Sequence, residues 1–504
     1  MTPRTPHRHP ETRPRRAIVA LGAALVLSLQ ASALTDLAAV PSAAGASEPA
    51  AATLYDEQAD FTNPPANSGA IQNPVSGHTL DLAANGYTQQ EFFASGIAHA
   101  FKAAATPSNG KWTIKPTTSA PYKTRIIVRR PVDPSHFSGT VVVEWLNVSA
   151  GESSPDWDYL NPSLMAAGDA WVGVSAQYQG VEGGTPILGA IQQQGQNTGN
   201  GLVQENPARY SSLHHPGDQY ALDMFDQIGL GIRRGHNDIL GPLHMKHIVA
   251  VGESQSAFYM TTFANAFQPV SHTFEGIFIH SRGGSGAPLS GSSVAKTSLS
   301  GAQRIRTDLK VPVFMFETQT DMVQLGYAPA QQPTTRYIHT WEVAGTSHAD
   351  NYVLGSAPES LLGCFTQINS GPQHTVVQAA FADFVRWVVS GTQPPTPSRF
   401  KLTSLHPTVL AVDSNGNVIG GVRTPAVDVP VSTLTGSVPK GTSTICSLFG
   451  QTLPFTATKL AHLYGTKPHY LALYTADLNK AIANRYILPA DKSELLAQAQ
   501  TVQF

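Results

Sequence analysis

His247-Ile248-Val249-Ala250-Val251-Gly252-Glu253-Ser254-Gln255-Ser256-Ala257 is the stretch on which the fold turns. A short apolar run rich in β-branched residues ends at Gly252, and the pattern Gly-x-Ser-x-Ser follows. From Ala257 to Phe267 there is neither Gly nor Pro, and the first breaker is Pro269. This order predicts strand, tight turn and helix, with Ser254 at the turn. A serine so placed is pushed clear of the sheet, where a base can reach its hydroxyl, and the amide that opens the helix can donate to an oxyanion. Small residues at 252 and 256 let strand and helix approach closely. Gly283-Gly284-Ser285, Gly291-Ser292-Ser293, Gly345-Thr346-Ser347 and Gly441-Thr442-Ser443 share the Gly-x-Ser spacing but lack these flanks. Ser254 is the expected nucleophile.

A serine nucleophile needs a base, and the base needs an orienting carboxylate. On this kind of turn they follow in the order acid, then histidine, each on a loop after a later strand. Val311 to Phe316 reads as such a strand and runs into Glu317-Thr318-Gln319-Thr320-Asp321. Asp321, a few residues beyond the strand, is the expected acid, and Glu317 at the strand's end is the alternative. Tyr337 to Val343 leads into Ala344-Gly345-Thr346-Ser347-His348, so His348 is the expected base. Its spacing alone says little among 18 histidines; its place on a small-residue loop after a strand says more. His339, inside that strand, reads as structural. Oxyanion donors are expected from Gln255 and from Asn147 or Val148, after the strand Thr140 to Leu146.

Val143-Glu144-Trp145-Leu146-Asn147-Val148-Ser149, Pro155-Asp156-Trp157, Trp171-Val172-Gly173-Val174-Ser175-Ala176-Gln177, His215-Pro216-Gly217-Asp218, Gly252-Glu253-Ser254-Gln255-Ser256-Ala257, His280-Ser281-Arg282-Gly283-Gly284 and Ala344-Gly345-Thr346-Ser347-His348-Ala349-Asp350 stand in order along the chain. Together they resemble the bacterial alpha/beta hydrolase domain-containing protein family, over most of the chain up to the C-terminal tail. The resemblance implies an α/β-hydrolase fold with Ser254 and His348 in a catalytic triad. It implies little about substrate. Ser256 stands where esterases commonly carry Gly, a tolerated small residue.

The rest of the chain agrees. Buried-type strands at 140–148, 170–176, 247–252, 275–280, 311–316 and 337–343 alternate with helical patterns, as in a mainly parallel sheet covered on both faces. Glu91 to Phe101 and Thr124 to Pro131 read as antiparallel strands, the alternation Arg125/Ile126 and Val128/Arg129 suggesting one wet side. Asp218 could cap a helix reaching Arg233, and Thr375 to Val389 is an amphipathic helix. The α/β-hydrolase domain is expected at 61–399, with a β-rich and helical C-terminal extension at 400–504 packed on it. Segments 178–217 and 283–310 are expected pocket walls.

With 41% apolar residues, 43 Gly and 37 Pro, the 504-residue chain suits a loop-rich globular protein. A net charge of −2 leaves no basic field for nucleic acid. Arg13, Arg15 and Arg16, an apolar run from Ala17 to Leu27, and Ala31-Ser32-Ala33 make an export signal over 1–33. Residues 34–60 read as a disordered mature N-terminus. The expected location is secreted or periplasmic, and no stretch after the signal is long enough to span a membrane. Cys364 and Cys446 are either a disulfide closing about 80 residues, worth roughly 4–5 kcal/mol in the loop-entropy picture, or two separate thiols. Glu144 and Arg282, at the ends of buried strands, read as a structural charge pair or pocket groups. His214-His215 lack a third metal ligand, and no phosphate-binding Gly pattern occurs, so no metal or cofactor is expected. Three functions follow: a hydrolase of small-molecule carboxylic esters, an amidase or peptidase with the same residues, or a catalytically silent binding protein.

Overall fold

Nine strands carry the site: β1 (Asp60–Thr62), β2 (Tyr87–Ala103), β3 (Ile114–Pro131), β4 (Thr140–Trp145), β5 (Ala170–Val174), β6 (His247–Glu253), β7 (Gly276–His280), β8 (Val313–Glu317) and β9 (Ile338–Glu342). They form one sheet in the order β1-β2-β3-β5-β4-β6-β7-β8-β9. The pairs β1–β2, β2–β3 and β3–β5 are antiparallel, and every pair from β5–β4 to β8–β9 is parallel. The alternating pattern predicts this mainly parallel sheet, and the arrangement is the α/β-hydrolase fold that the resemblance implies. The computed structural model describes residues 54–504 apart from 79, 189–191, 194–195, 198, 236–237, 293–300, 356–358 and 365.

Four helices cover the sheet: α1 (Pro155–Ala167), α2 (Ala221–Arg234), α3 (Gln255–Thr262) and α4 (Gln373–Ser390). Alternate residues of a strand face opposite ways, which sorts the core into two layers. Val249, Val251, Phe278 and Phe314 pack with Trp157 and Leu160 of α1 and with Phe381 and Phe384 of α4. Ile248, Ala250, Ile277 and Met315 pack with Phe225 and Ile228 of α2 and with Ala257 and Met260 of α3. Each of these large side chains stabilises the fold by about 1.5–3 kcal/mol on burial.

The expected export signal at 1–33 and residues 34–53 lie outside the described residues. Residues 54–60, expected to be disordered, are packed. Leu54 and Ala59 are buried, and the Ala59 amide donates to Gln227 O at 2.9 Å. No described helix is long and apolar enough to cross a membrane.

Three further expectations change. The face of β3 carrying Arg125 and Arg129 is dry. Arg125 is 0% exposed and donates to Gln72 O at 2.6 Å and Ser175 Oγ at 2.9 Å, with Glu152 and Glu91 as ion partners. Arg129 lies over the rings of Trp157 and Trp171 at 4.5 and 4.7 Å. Asp218 does not cap its helix, because its carboxylate accepts from the Tyr178 amide at 2.6 Å. Glu144 and Arg282 are not a pair. Glu144 accepts from the amides of Asp156 and Trp157, which open α1, and from Trp171 Nε1. Arg282 is held by Gly283 O and Gln303 O.

After residue 400 come two antiparallel strand pairs, β10 (Leu402–Leu405) with β11 (Thr408–Leu410) and β12 (Ser432–Thr435) with β13 (Gln451–Pro454). Helices α5 (Ala457–Tyr464), α6 (Lys467–Ala483) and α7 (Lys492–Gln500) close a small core of their own around Leu460, Tyr470, Leu478 and Leu495. Cys364 and Cys446 are joined as a disulfide.

Candidate active site

Ser254 sits between the last residue of β6 and the first of α3, with φ 57° and ψ −117°. A non-glycine residue in that region is strained, and such strain persists only where the surroundings impose it. Here both sides impose it. The Ser254 amide donates to His280 O at the end of β7, 3.0 Å away, and its carbonyl accepts from the Ala257 amide at 3.0 Å. A Cβ on Gly252 would stand 2.9 Å from Met260 Cγ and 3.1 Å from Ser256, so strand and helix meet as closely as the small residues predict.

Ser254 Oγ is 2.7 Å from His348 Nε2, and His348 Nδ1 is 2.7 Å from Asp321 Oδ1. With a carboxylate at Nδ1, the proton belongs on Nδ1, and Nε2 is left to accept from the serine hydroxyl. Asp321 Oδ2 accepts from the Thr318 amide at 2.7 Å and from the Thr318 hydroxyl at 2.8 Å. Thr318 caps the short helix Gln319–Val323, and Asp321 answers from its third position as a capping box. One carboxylate thus caps the start of a helix and meets the imidazole. His348 and Asp321 are buried, while Ser254 is half-buried.

Glu317 does not reach His348. It is fully buried, and neither carboxyl oxygen has a hydrogen-bond partner among the described residues. Burial first, then the neighbouring Asp321, push its carboxyl well above the usual range.

Asn147 drops out as a main-chain oxyanion donor. Its amide is taken up by Ser153 O at 2.9 Å, and its side-chain Nδ2 donates to Glu253 O at 3.1 Å and Glu253 Oε2 at 3.4 Å. Val148 and Gln255 do come together. The Val148 amide donates to Gln255 Oε1 at 3.4 Å, and Ser149 Oγ donates to the same oxygen at 3.3 Å. Both expected wall segments reach this region. Gln179 Nε2 donates to Val148 O at 2.7 Å, and the Ala287 amide donates to Phe258 O on α3 at 2.9 Å. A cavity of about 330 Å³ lies elsewhere, lined by Asn351, Tyr352, His374, Tyr474, Glu494 and Gln498 among others; it includes neither Ser254 nor His348.

Several residues of the site were not singled out from sequence. Thr318 could have been, since Thr318-x-x-Asp321 has the spacing of a capping box. His280 and Asp156 form a buried pair at 2.8 Å, both 0% exposed, beneath the Ser254 turn. Their sequence neighbourhoods, a strand end and a helix start far apart, carry no mark of the pairing. Glu253 lies 3.6 Å from His348 Nε2 through Oε1. The histidine pair at 214–215 serves the scaffold: His215 Nε2 meets Ala176 O at 2.9 Å, and its Nδ1 accepts from the Gly217 amide. Among the described residues there is no cluster of three or more His, Cys, Asp or Glu fit to hold a metal.

No curated protein matches the sequence. Among solved structures, one likeness is to a putative dienelactone hydrolase from Klebsiella pneumoniae, 9% identical, covering 59% of this chain and 99% of that one with a TM-score of 0.29. Another is to fungal esterases from Rhizomucor miehei, 11% identical, covering 63% and 94% with a TM-score of 0.27. Likenesses this weak carry no argument about substrate. The family evidence is stronger, for the sequence matches the alpha/beta hydrolase domain over residues 61–497, most of its length, and the chain belongs to that family.

Proposed function

We propose that the protein is an exported serine hydrolase that cleaves small-molecule carboxylic esters. The observation that carries this reading is the unbroken hydrogen-bonded chain from Ser254 Oγ through His348 to Asp321, 2.7 Å at each step, on a strained strand-to-helix turn. Ser254 Oγ attacks the ester carbonyl while His348 Nε2 takes its proton. His348 returns that proton to the leaving alcohol, and water then hydrolyses the acyl-enzyme by the same route. Asp321 holds the tautomer and stabilises the imidazolium. The developing oxyanion is received by the amides of Gln255 and Val148, once the Gln255 carboxamide turns away from Val148. The Cys364–Cys446 disulfide supports the export reading, since such bonds persist in oxidising compartments.

Labelling with a fluorophosphonate, compared between the native chain and Ser254→Ala, tests the nucleophile. Label on the native chain that is lost in the variant supports it, and label that survives in the variant overturns it. A panel of p-nitrophenyl esters run against matched anilides tests the bond. Faster cleavage of anilides would make the protein an amidase.

A further inference from the structure

We propose that Glu253 positions the water that hydrolyses the acyl-enzyme. This rests on the reading of Ser254 as the acylated group.

Glu253 is the residue immediately before the serine, and the imidazole stands between the two. His348 Nε2 is 2.7 Å from Ser254 Oγ and 3.6 Å from Glu253 Oε1. The Glu253 carboxyl is held from behind. Asn147 Nδ2 donates to its Oε2 at 3.4 Å and to its main-chain oxygen at 3.1 Å, so Oε1 is the oxygen turned toward the imidazole. Among the described residues Oε1 makes no direct hydrogen bond. The side chains of Glu253 and His348 are 8% and 4% exposed, so both are nearly shut off from bulk solvent. A gap of 3.6 Å between two polar atoms is one to ask a bridging water of.

Burial is the main influence that holds the Glu253 carboxyl well above the usual range, and the carboxylates of Asp156, Asp321 and Glu144 add to it. That direction favours the neutral acid over the carboxylate. With Oε2 receiving the Asn147 N–H, a proton carried by the neutral acid would belong on Oε1, the oxygen that faces the imidazole. As a neutral group it does not compete with Asp321 for the imidazolium.

The chemistry uses one hydrogen and both lone pairs of the water, and its second hydrogen stays on the oxygen that becomes part of the acid. Once Ser254 Oγ is acylated, Nε2 has lost its hydroxyl partner. A water beside it donates one hydrogen to Nε2 and accepts the Glu253 Oε1–H on one lone pair. The other lone pair attacks the acyl carbon. The new C–O bond forms as the water's proton passes to Nε2. The tetrahedral intermediate then collapses, the C–Oγ bond breaks, and Nε2 gives its proton to Ser254 Oγ. The carboxylic acid leaves, and Glu253 keeps its own proton throughout.

The test separates acylation from deacylation. Glu253→Leu removes the donor and keeps the bulk. It is expected to label with fluorophosphonate within about twofold of the native rate and to give a p-nitrophenol burst from p-nitrophenyl acetate. Its steady-state turnover is expected to fall about tenfold, the worth of one good hydrogen bond in a transition state, with KM falling in parallel. Glu253→Gln, which restores an N–H donor at the same place, recovers most of the loss. The proposal is overturned if Glu253→Leu turns over at the native rate, if its labelling slows as much as its turnover, or if Glu253→Gln is as slow as Glu253→Leu. A native chain that neither labels nor turns over ester overturns the acyl-enzyme reading itself, an outcome distinct from these.

Discussion

Thr318 grips Asp321 twice, by its amide at 2.7 Å and its hydroxyl at 2.8 Å, both on the oxygen that His348 does not use. The carboxylate that faces the imidazole is thus fixed by the start of a helix, not by its own rotamer alone. Thr318→Val keeps the shape and the amide bond but loses the hydroxyl. Hydrogen bonds to charged groups are worth about 1.5–3 kcal/mol, and part of that restrains Asp321 in the active geometry. Turnover is expected to fall about tenfold, with the circular dichroism spectrum unchanged. Native turnover in this variant would show that the amide alone suffices.

Asp321→Asn should remove the orienting carboxylate and favour the wrong imidazole tautomer. A loss of about 10³–10⁴-fold in turnover is expected from that change. Glu317→Gln should stay within a few-fold of native, since Glu317 makes no described contact with His348. Steady-state assays on the two variants decide the matter, and the reverse ranking would reassign the acid to Glu317.

Stability should fall as pH rises through the acid range. Asp158 on α1 and Asp226 on α2 are buried, and burial pushes both up to about 7. Between their unfolded values near 4 and their folded values, the folded chain binds more protons than the unfolded one. The slope of unfolding free energy with pH is then negative across that window and flattens above it. Asp226 Oδ1 accepts from the Thr273 hydroxyl, and Asp226→Asn keeps an acceptor there without the charge. The melting temperature of this variant relative to native should rise between about pH 4.5 and pH 7.5. A difference that stays constant with pH would show that Asp226 does not titrate in this window.

The disulfide closes a loop of 82 residues, so its removal should destabilise the chain by roughly 2–5 kcal/mol. Cys446 lies within the short helix Thr444–Leu448 at the end of that loop, and the residues just after it meet the histidine loop directly. The Ala349 amide donates to Leu448 O at 3.0 Å, and Ser347 Oγ donates to Phe449 O at 3.1 Å. Cys364→Ser with Cys446→Ser is therefore expected to lower turnover several-fold at temperatures where the chain is still folded. Urea unfolding alongside ester assays would check both effects. Lowered stability with intact turnover would show that the histidine loop does not depend on the bond.

The serine turn was legible because its determinants are local: a β-branched run, two small residues and a breaker-free helix lie within about 20 residues of one another. His348 was legible from chain order and from the small residues around it. Asp321 was expected as the acid from its place beyond the strand, but Glu317 stayed open, because only three residues separate them and the difference is which way each side chain leaves the end of β8. The covered face of β3 was also hidden. Its alternation of Arg and apolar residues is that of a wet strand, but Gln72 and Glu152 arrive from distant parts of the chain to satisfy Arg125. Asn147 misled for a similar reason, since the bond from its amide to Ser153 belongs to a loop closure that no periodicity announces.

The last hundred residues have a consequence for how the molecule is made. His348 is steadied by Leu448 and Phe449 through its neighbours, and the helix that presents Asp321 is tied to Gly436 by Thr320 Oγ1 at 3.0 Å and Gln319 Oε1 at 2.9 Å. During synthesis the sheet and the serine turn are complete long before those residues emerge. The site therefore sets only once residues 436–449 have emerged, and a chain cut short near residue 400 would keep its serine while lacking what steadies its histidine.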